Sequence, residues 1–231
     1  PACPVSPGER AGWSDINVVR RMMWNPGWYK IFSENEMGKY PTDDLVRFMA
    51  NNFYQAPSRK DIKVLEVGCG AGANVWYLAR EGFDVTAIEG SSVAVERTTK
   101  RLAEDHLSAR IIVGDTVKGL PFDDNQFDCV IDIECLYANT YQDTRKIIAE
   151  IKRVLKPKGL FFSKTFMTSS SGDGNGKWLE GEKNTYLETT GGALRGGYGI
   201  SRFTSEEEIA DLYGQILTVQ SLDQVICTRK N

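Results

Sequence analysis

Hydrophobic and polar positions along the middle of the chain switch repeatedly between a period of two and a period near 3.6. Short apolar runs at 62–67 (IKVLEV), 84–89 (DVTAIE), 110–114 (RIIVG), 127–133 (FDCVIDI) and 159–166 (GLFFSKTF) predict five strands. Helical spacing fills the gaps at 73–81, 91–104 and 142–155. In the last of these Ile147, Ile148, Ile151, Val154 and Leu155 form one apolar stripe, and Lys156-Pro157-Lys158-Gly159 is expected to end the helix and turn the chain. Strands that alternate with helices predict a parallel sheet with crossover helices. Upstream, Pro41-Thr42 opens a helix to about Asn52 with Leu45, Phe48 and Met49 on one face. Downstream, Thr204-Ser205-Glu206-Glu207 reads as a capping box for a helix to about Tyr213, and runs at 216–221 and 224–229 read as a terminal hairpin around Leu222-Asp223.

Two segments break this regularity. Trp24-Asn25-Pro26-Gly27-Trp28-Tyr29 is aromatic and irregular, and 168–199 is a long connection holding nine glycines with Trp178, Tyr186 and Tyr198. A connection that long inside a compact domain usually carries function. The expected organisation is one domain over 1–231, with cap or lid helices at 13–56 and an insertion at 168–199 that forms part of a substrate cap.

Composition changes this picture little. With 41% hydrophobic and 26% charged residues in 231, the chain can build one good core. A net charge of -3 argues against DNA, RNA and anionic membrane surfaces as general partners. No apolar run approaches the ~18–20 residues that span a bilayer. The stretch 1–12 has no apolar core, so no signal peptide is expected there. Five cysteines (Cys3, Cys69, Cys129, Cys135, Cys227) without CxxC spacing argue against zinc and disulfides and suit a reducing cytoplasm. No metal is expected, and monomer and homodimer both stay open.

The chemistry concentrates at Glu66-Val67-Gly68-Cys69-Gly70-Ala71-Gly72, where the first strand joins the first helix. Glycines there permit a tight turn and close ligand approach at a helix N-terminus. Gly68, Gly70 and Ala73 also satisfy the dinucleotide fingerprint G-x-G-x-x-G/A, and Glu89 stands 17 residues after Gly72, near where a ribose-binding acid belongs. From these residues alone a nicotinamide oxidoreductase competes with other nucleoside-binding enzymes.

Over about 62–167 the ordered motifs resemble the class I S-adenosylmethionine-dependent methyltransferases. LEVGCGAGANV is similar to that family's first motif, Glu89 in TAIEGS to its ribose-binding acid, and Gly114-Asp115-Thr116 to its adenine-binding turn. Leu120-Pro121-Phe122, Phe127-Asp128 and Arg153-Val154-Leu155-Lys156-Pro157-Lys158-Gly159 resemble its later motifs in the right order, with Lys158 departing where a glycine usually stands. The resemblance implies a doubly wound, mostly parallel seven-stranded sheet with helices on both faces and an antiparallel terminal strand. It implies S-adenosyl-L-methionine as cofactor, S-adenosyl-L-homocysteine as product, and Glu66, Gly68, Cys69, Gly70, Gly72, Glu89, Gly90, Ser91, Asp115, Thr116, Asp132 and Ile133 as cofactor-binding residues. Glu66 also speaks against a dinucleotide, whose pyrophosphate needs no carboxylate there.

Methyl transfer is an in-line displacement, so positioning and exclusion of water carry much of the rate, and a base is needed only where the acceptor must lose a proton. Ligands of open α/β sheets lie beyond the carboxyl ends of the strands. That rule sets aside His106, at the opposite edge, and selects Glu134 and Tyr137 as base or orienting candidates. Cys129 and Cys227 read as packing residues. Tyr29, Tyr40, Trp178, Tyr186 and Tyr198, with Trp24 and Trp28, are candidates for an aromatic substrate cap. Arg20, Arg21, Lys30, Lys39, Lys177, Lys183, Arg195 and Arg202 fall in the same segments and could hold a phosphate or carboxylate. The expected acceptor is a small molecule methylated at oxygen or nitrogen, such as a sugar or glycan precursor. A nicotinamide oxidoreductase, a protein or RNA methyltransferase and a cofactor-binding module without turnover remain as alternatives.

Overall fold

A computed structural model describes residues 27–191, 194 and 199–225. Trp24, Tyr198, Arg20, Arg21, Arg195, Cys3, Cys227 and most of the second strand expected in the terminal hairpin lie outside the described residues.

Five parallel strands form the main sheet: β1 (Lys63–Val67), β2 (Asp84–Glu89), β3 (Arg110–Val113), β4 (Phe127–Ile133) and β5 (Leu155–Lys164), in the order β3-β2-β1-β4-β5. The order reverses at β1, so a crevice opens beyond the carboxyl ends of β1 and β4. Among the described residues six α-helices accompany it: α1 (Gly27–Glu34), α2 (Asp43–Phe53), α3 (Ala73–Arg80), α4 (Ser92–Glu104), α5 (Tyr141–Val154) and α6 (Glu206–Leu212). Because successive strand residues face opposite ways, Leu65, Val67, Ile88 and Val130 pack against Ile147, Ile148, Ile151 and Val154 of α5. Val64, Val85, Ala87 and Ile131 pack on the other face against α2, α3 and α4. Between β5 and α6 lies a second, antiparallel sheet of β6 (Lys177–Trp178), β7 (Thr185–Leu187) and β8 (Ile200–Arg202).

Of the expected seven-stranded sheet, five strands, all parallel, are present among the described residues, and most of the expected antiparallel last strand lies outside them. The run 216–221 forms no strand. Ile216 and Leu217 find the apolar cluster over α5, whereas Val219, Leu222 and Val225 find no covering face and stand exposed. β5 begins at Leu155, directly after α5, and its pairing with β4 shifts register between Phe127 and Cys129. The Lys-Pro-Lys-Gly segment is thus an irregularity inside the strand, and Lys158 takes φ 67, the left-handed region where glycine is easiest. The capping box uses Ser205 with Glu208, one position later than expected.

Two glycines bring the loop after β1 against its neighbours. At Gly68 (φ 69) an added Cβ would lie 2.2 Å from Cys135 Sγ, and at Gly72 (φ 77) 2.3 Å from Thr98 Cγ2. Gly82 has φ 87 with nothing within 4 Å of its Cβ position. Gly68→Ala is therefore expected to cost about 2–4 kcal/mol and Gly82→Ala about 1 kcal/mol, a gap of several degrees in thermal denaturation. Equal losses would show that crowding against Cys135 does not set the requirement for glycine.

Candidate active site

A cleft of about 470 Å³ opens at the carboxyl ends of β1, β2 and β4. Its floor includes Gly68, Glu89, Gly90, Gly114, Asp115 and Thr116, and its farther walls include Trp28, Glu134, Lys146, Leu179, Leu187 and Ile200.

Glu89 ends β2 and is buried. One carboxylate oxygen accepts the Gly70 N–H at 2.9 Å and the other the Ser91 N–H at 2.8 Å. The glycine loop and the start of α4 are thereby tied to one charged group, which also lines the cleft. Burial raises its pKa against the lowering effect of those N–H bonds. Ser91 caps α4 by accepting from the Ala94 N–H. Asp115 accepts the Val117 N–H through Oδ1, and its Oδ2 is buried without a partner. A buried acceptor of this kind fits an amino group supplied by a ligand.

Glu66 stands behind the glycine loop and outside the cleft wall. Its Oε1 accepts from Asn74 at 2.7 Å and its Oε2 has no partner. Burial pushes its pKa to about 8. Asp132 is also fully buried: Oδ1 accepts from the Cys135 and Leu136 N–H groups, and Oδ2 accepts the Ser163 hydroxyl at 2.6 Å. Its carboxylate holds the turn after β4, its pKa rises to about 6 through burial, and neither it nor Ile133 lines the cleft. Cys69, Gly70, Gly72 and Ser91 likewise are not among the residues that line the cleft.

The two catalytic candidates separate. Glu134 takes φ 58 at the end of β4, donates its N–H to the Lys164 carbonyl, and lines the cleft as a solvent-exposed residue. Partial desolvation raises its pKa, opposed by Lys164. Tyr137 is buried between Trp28 (6.5 Å between ring centroids) and Phe166 (4.8 Å), does not line the cleft, and burial pushes its hydroxyl further from ionisation. A base role for Tyr137 is corrected to a packing role.

The aromatic cap is corrected in part. Tyr40 is 75% exposed and packs on Trp76, Trp178 is 60% exposed and donates to the Glu182 carbonyl, and Tyr186 packs on Phe203. Neither these nor Tyr29 lines the cleft. Trp28, one of the expected cap aromatics, does line it, together with Phe32 of α1, whose ring sits 3.3 Å from the Cβ position of Gly70. Their spacing of four on one helix was the available signal. Leu179, Glu182, Leu187 and Ile200 bring the β6–β8 segment to the wall, although only pairing of its strands shows which side chains face in. Of the cationic cap residues, Lys30, Lys39 and Lys183 are exposed, Lys177 pairs with Glu188 at 2.8 Å, and Arg202 is buried; none lines the cleft. Lys146 does, paired at 2.8 Å with Asp143. His106 is exposed beyond α4 and Cys129 is buried in the sheet, as expected.

Residues 64–159 match the family model of a methyltransferase domain. Over 125 residues the chain is 30% identical to phthiotriol/phenolphthiotriol dimycocerosates methyltransferase of Mycobacterium tuberculosis, covering 52% of this chain and 44% of that protein. It is 35% identical over 125 residues to a sterol 24-C-methyltransferase of Gibberella zeae, covering 47% of this chain and 32% of that protein. The matched stretch thus spans less than half the length of these relatives. In fold it is similar to a SAM-dependent methyltransferase structure from Methanosarcina mazei, with a TM-score of 0.61 at 20% identity, covering 77% of this chain and 84% of that one.

The buried acids have a pH signature. Glu66, with a pKa raised from 4.5 to about 8, keeps a proton that the unfolded chain has already released. The native state therefore binds more protons between those values, and stability falls as pH rises through that window; Asp132 acts likewise from 3.8 to about 6. Without added ligand, Tm should drop from pH 5 to pH 8, and Glu66→Gln should flatten the part between pH 6 and 8. An unaltered slope in that variant would reject Glu66 as its source.

Proposed function

We propose, from the premise that residues 64–159 form a class I S-adenosylmethionine-dependent methyltransferase domain, that this chain transfers a methyl group to a small-molecule acceptor at nitrogen or oxygen. The observation that carries this reading is the Glu89 carboxylate, held by the Gly70 and Ser91 N–H groups at the end of β2 with acceptor capacity left toward the cleft. A pair of vicinal hydroxyls is the ligand chemistry such a carboxylate takes.

S-adenosyl-L-methionine, when bound, supplies an activated methyl group on a sulfonium centre. Glu89 would hold its ribose, Asp115 through the unpartnered Oδ2 its adenine amine, and the backbone at Gly68 and Gly90 would line its path. These residues fit the group: the loop approaches closely because Gly68 carries no side chain, and the carboxylates suit a cation and its hydroxyls. Glu66 supports the loop through Asn74, and Asp132 sets the turn that displays Glu134.

A cleft of about 470 Å³ falls in the range of small-ligand sites. Its enclosure by α1 on one side and by β6–β8 on another favours a compact acceptor over a folded macromolecule. Residues 27–56 and 168–191 would then act as the cap that keeps water from the transfer.

The test is a thermal-shift titration with S-adenosylhomocysteine, S-adenosylmethionine and NAD side by side. Ligand at 100 times its Kd should add about 2.7 kcal/mol, a rise of about 5–10 °C. Stabilisation by the sulfonium pair and not by NAD is expected; stabilisation by NAD alone would overturn the assignment. Glu89→Ala should weaken S-adenosylhomocysteine binding by about 1.5–3 kcal/mol, roughly 10- to 150-fold, checked by calorimetry. Radiolabel from the methyl donor should pass to low-molecular-mass filtrate and not to protein or RNA of a lysate.

A further inference from the structure

We infer that the methyl acceptor is an amine on an apolar body, with its cationic nitrogen taken by Glu134 in the cleft that Trp28 also lines. This rests on the methyltransferase reading of the same cleft and narrows it to one acceptor chemistry.

The argument subtracts the lining charges that already have partners. Glu89 is held by two backbone N–H groups and, with Asp115, is assigned to the methyl donor. Asp143 is paired with Lys146, and Glu182 accepts the Tyr141 N–H at the start of α5, at 3.0 Å. Glu134 remains: its side chain accepts no hydrogen bond from a described residue, and the nearby Lys164 spends its ammonium on Asp44 at 2.9 Å. Lys146 is the one cationic side chain among the described lining residues, and Asp143 neutralises it. An anionic acceptor therefore meets a surplus of like charge and no free cation among the described residues. A cationic one meets an unpaired carboxylate and, in the same cleft lining, an aromatic ring, two groups that recognise ammonium. The rest of the wall, Leu179, Leu187 and Ile200, is apolar and suits a hydrocarbon or aromatic body.

The same carboxylate accounts for the proton. An ammonium nitrogen has no lone pair, so one N–H proton passes to Glu134. The freed pair then forms the N–C bond to the methyl carbon as the C–S bond breaks, with its electron pair staying on sulfur. Glu134 returns its proton to solvent through the open cleft. A neutral alcohol holds its proton too tightly for a carboxylate to take and leaves the Glu134 charge without a counter-ion.

The test uses the whole chain saturated with S-adenosylhomocysteine. A panel of aralkyl and alicyclic amines, each matched with the alcohol and the carboxylic acid of the same skeleton, is titrated by calorimetry and then assayed for label transfer from S-adenosylmethionine. Amines should bind about ten-fold or more tighter than their alcohols, acids should not bind, and label should pass to amines. Glu134→Gln should remove about ten-fold or more of the amine affinity while leaving affinity for S-adenosylhomocysteine and for the alcohols unchanged. Alcohols or acids that bind as well as amines, a panel in which nothing binds the loaded protein, or a Glu134→Gln variant that keeps its amine affinity would each overturn the proposal. Loss of S-adenosylhomocysteine binding in that variant would also overturn it, by placing Glu134 at the methyl donor. Failure of the unaltered chain to bind S-adenosylhomocysteine at all defeats instead the methyltransferase reading beneath it.

Discussion

The arrangement depends on a single carboxylate. Glu89 ends the second strand, and its two oxygens take one N–H from the glycine loop after β1 and one from the residue that caps α4. The glycine loop after β1 is thus joined to the turn between β2 and α4 at one charged, buried group. Because each bond is charge-assisted, the group resists displacement, and because each oxygen keeps a second lone pair, it can hold a ligand without releasing the backbone. The Phe32 ring then packs on the same loop over Gly70, so that α1 closes one side of the cleft.

Burying acids around an anion-rich cleft costs stability, and the molecule offsets that cost unevenly. Asp132 is fully satisfied by two N–H groups and a hydroxyl, which makes it a hinge pin for the turn that displays Glu134. Glu66 and Asp115 each leave one buried oxygen without a partner. Buried acceptors left open beside a cleft are the usual mark of a site whose hydrogen bonds are completed by something other than the chain. Carboxylates with raised pKa around the cleft would also gain if a positive ligand arrived, because it would restore the charged form that burial disfavours.

The cap is built from two pieces with different anchors. Arg97 of α4 donates to the Ser33 and Asn35 carbonyls at the end of α1, while Lys164 of β5 pairs with Asp44 of α2. The β6–β8 segment is tied to the core by the Met167–Thr204 bridge and by Arg202, whose guanidinium donates to Thr204 and Thr144. Under the proposed reading, acceptor selection would sit on segments outside the main sheet, whereas Glu89 and Asp115 sit at or just beyond strand ends. Strand ends are held by the ladder, so they keep their geometry when the cap changes.

The sequence alone determined the elements of the main sheet. Alternation and helical stripes located β2 and β4 to the residue and β1, β3 and α3–α5 within one or two, because apolar period reports directly which side chains a strand or helix must bury. It also placed Glu89, Asp115 and the glycine turn, since the turn needs left-handed φ that glycine takes at least cost and the acid follows at a set distance. Tertiary structure decided the rest. Composition suggested a cap of tyrosines, tryptophans and cations, and of these Trp28 lines the cleft, whereas Tyr40 and Trp178 face solvent and Phe32 and Leu179, outside that set, line it too. Tyr137 and Glu134 stand three residues apart in one loop, and only the fold shows one packed between rings and the other open to ligand. The reason is physical: a strand or stripe is a local pattern that repeats, whereas the direction of a side chain in an irregular segment is set by whatever distant surface packs against it.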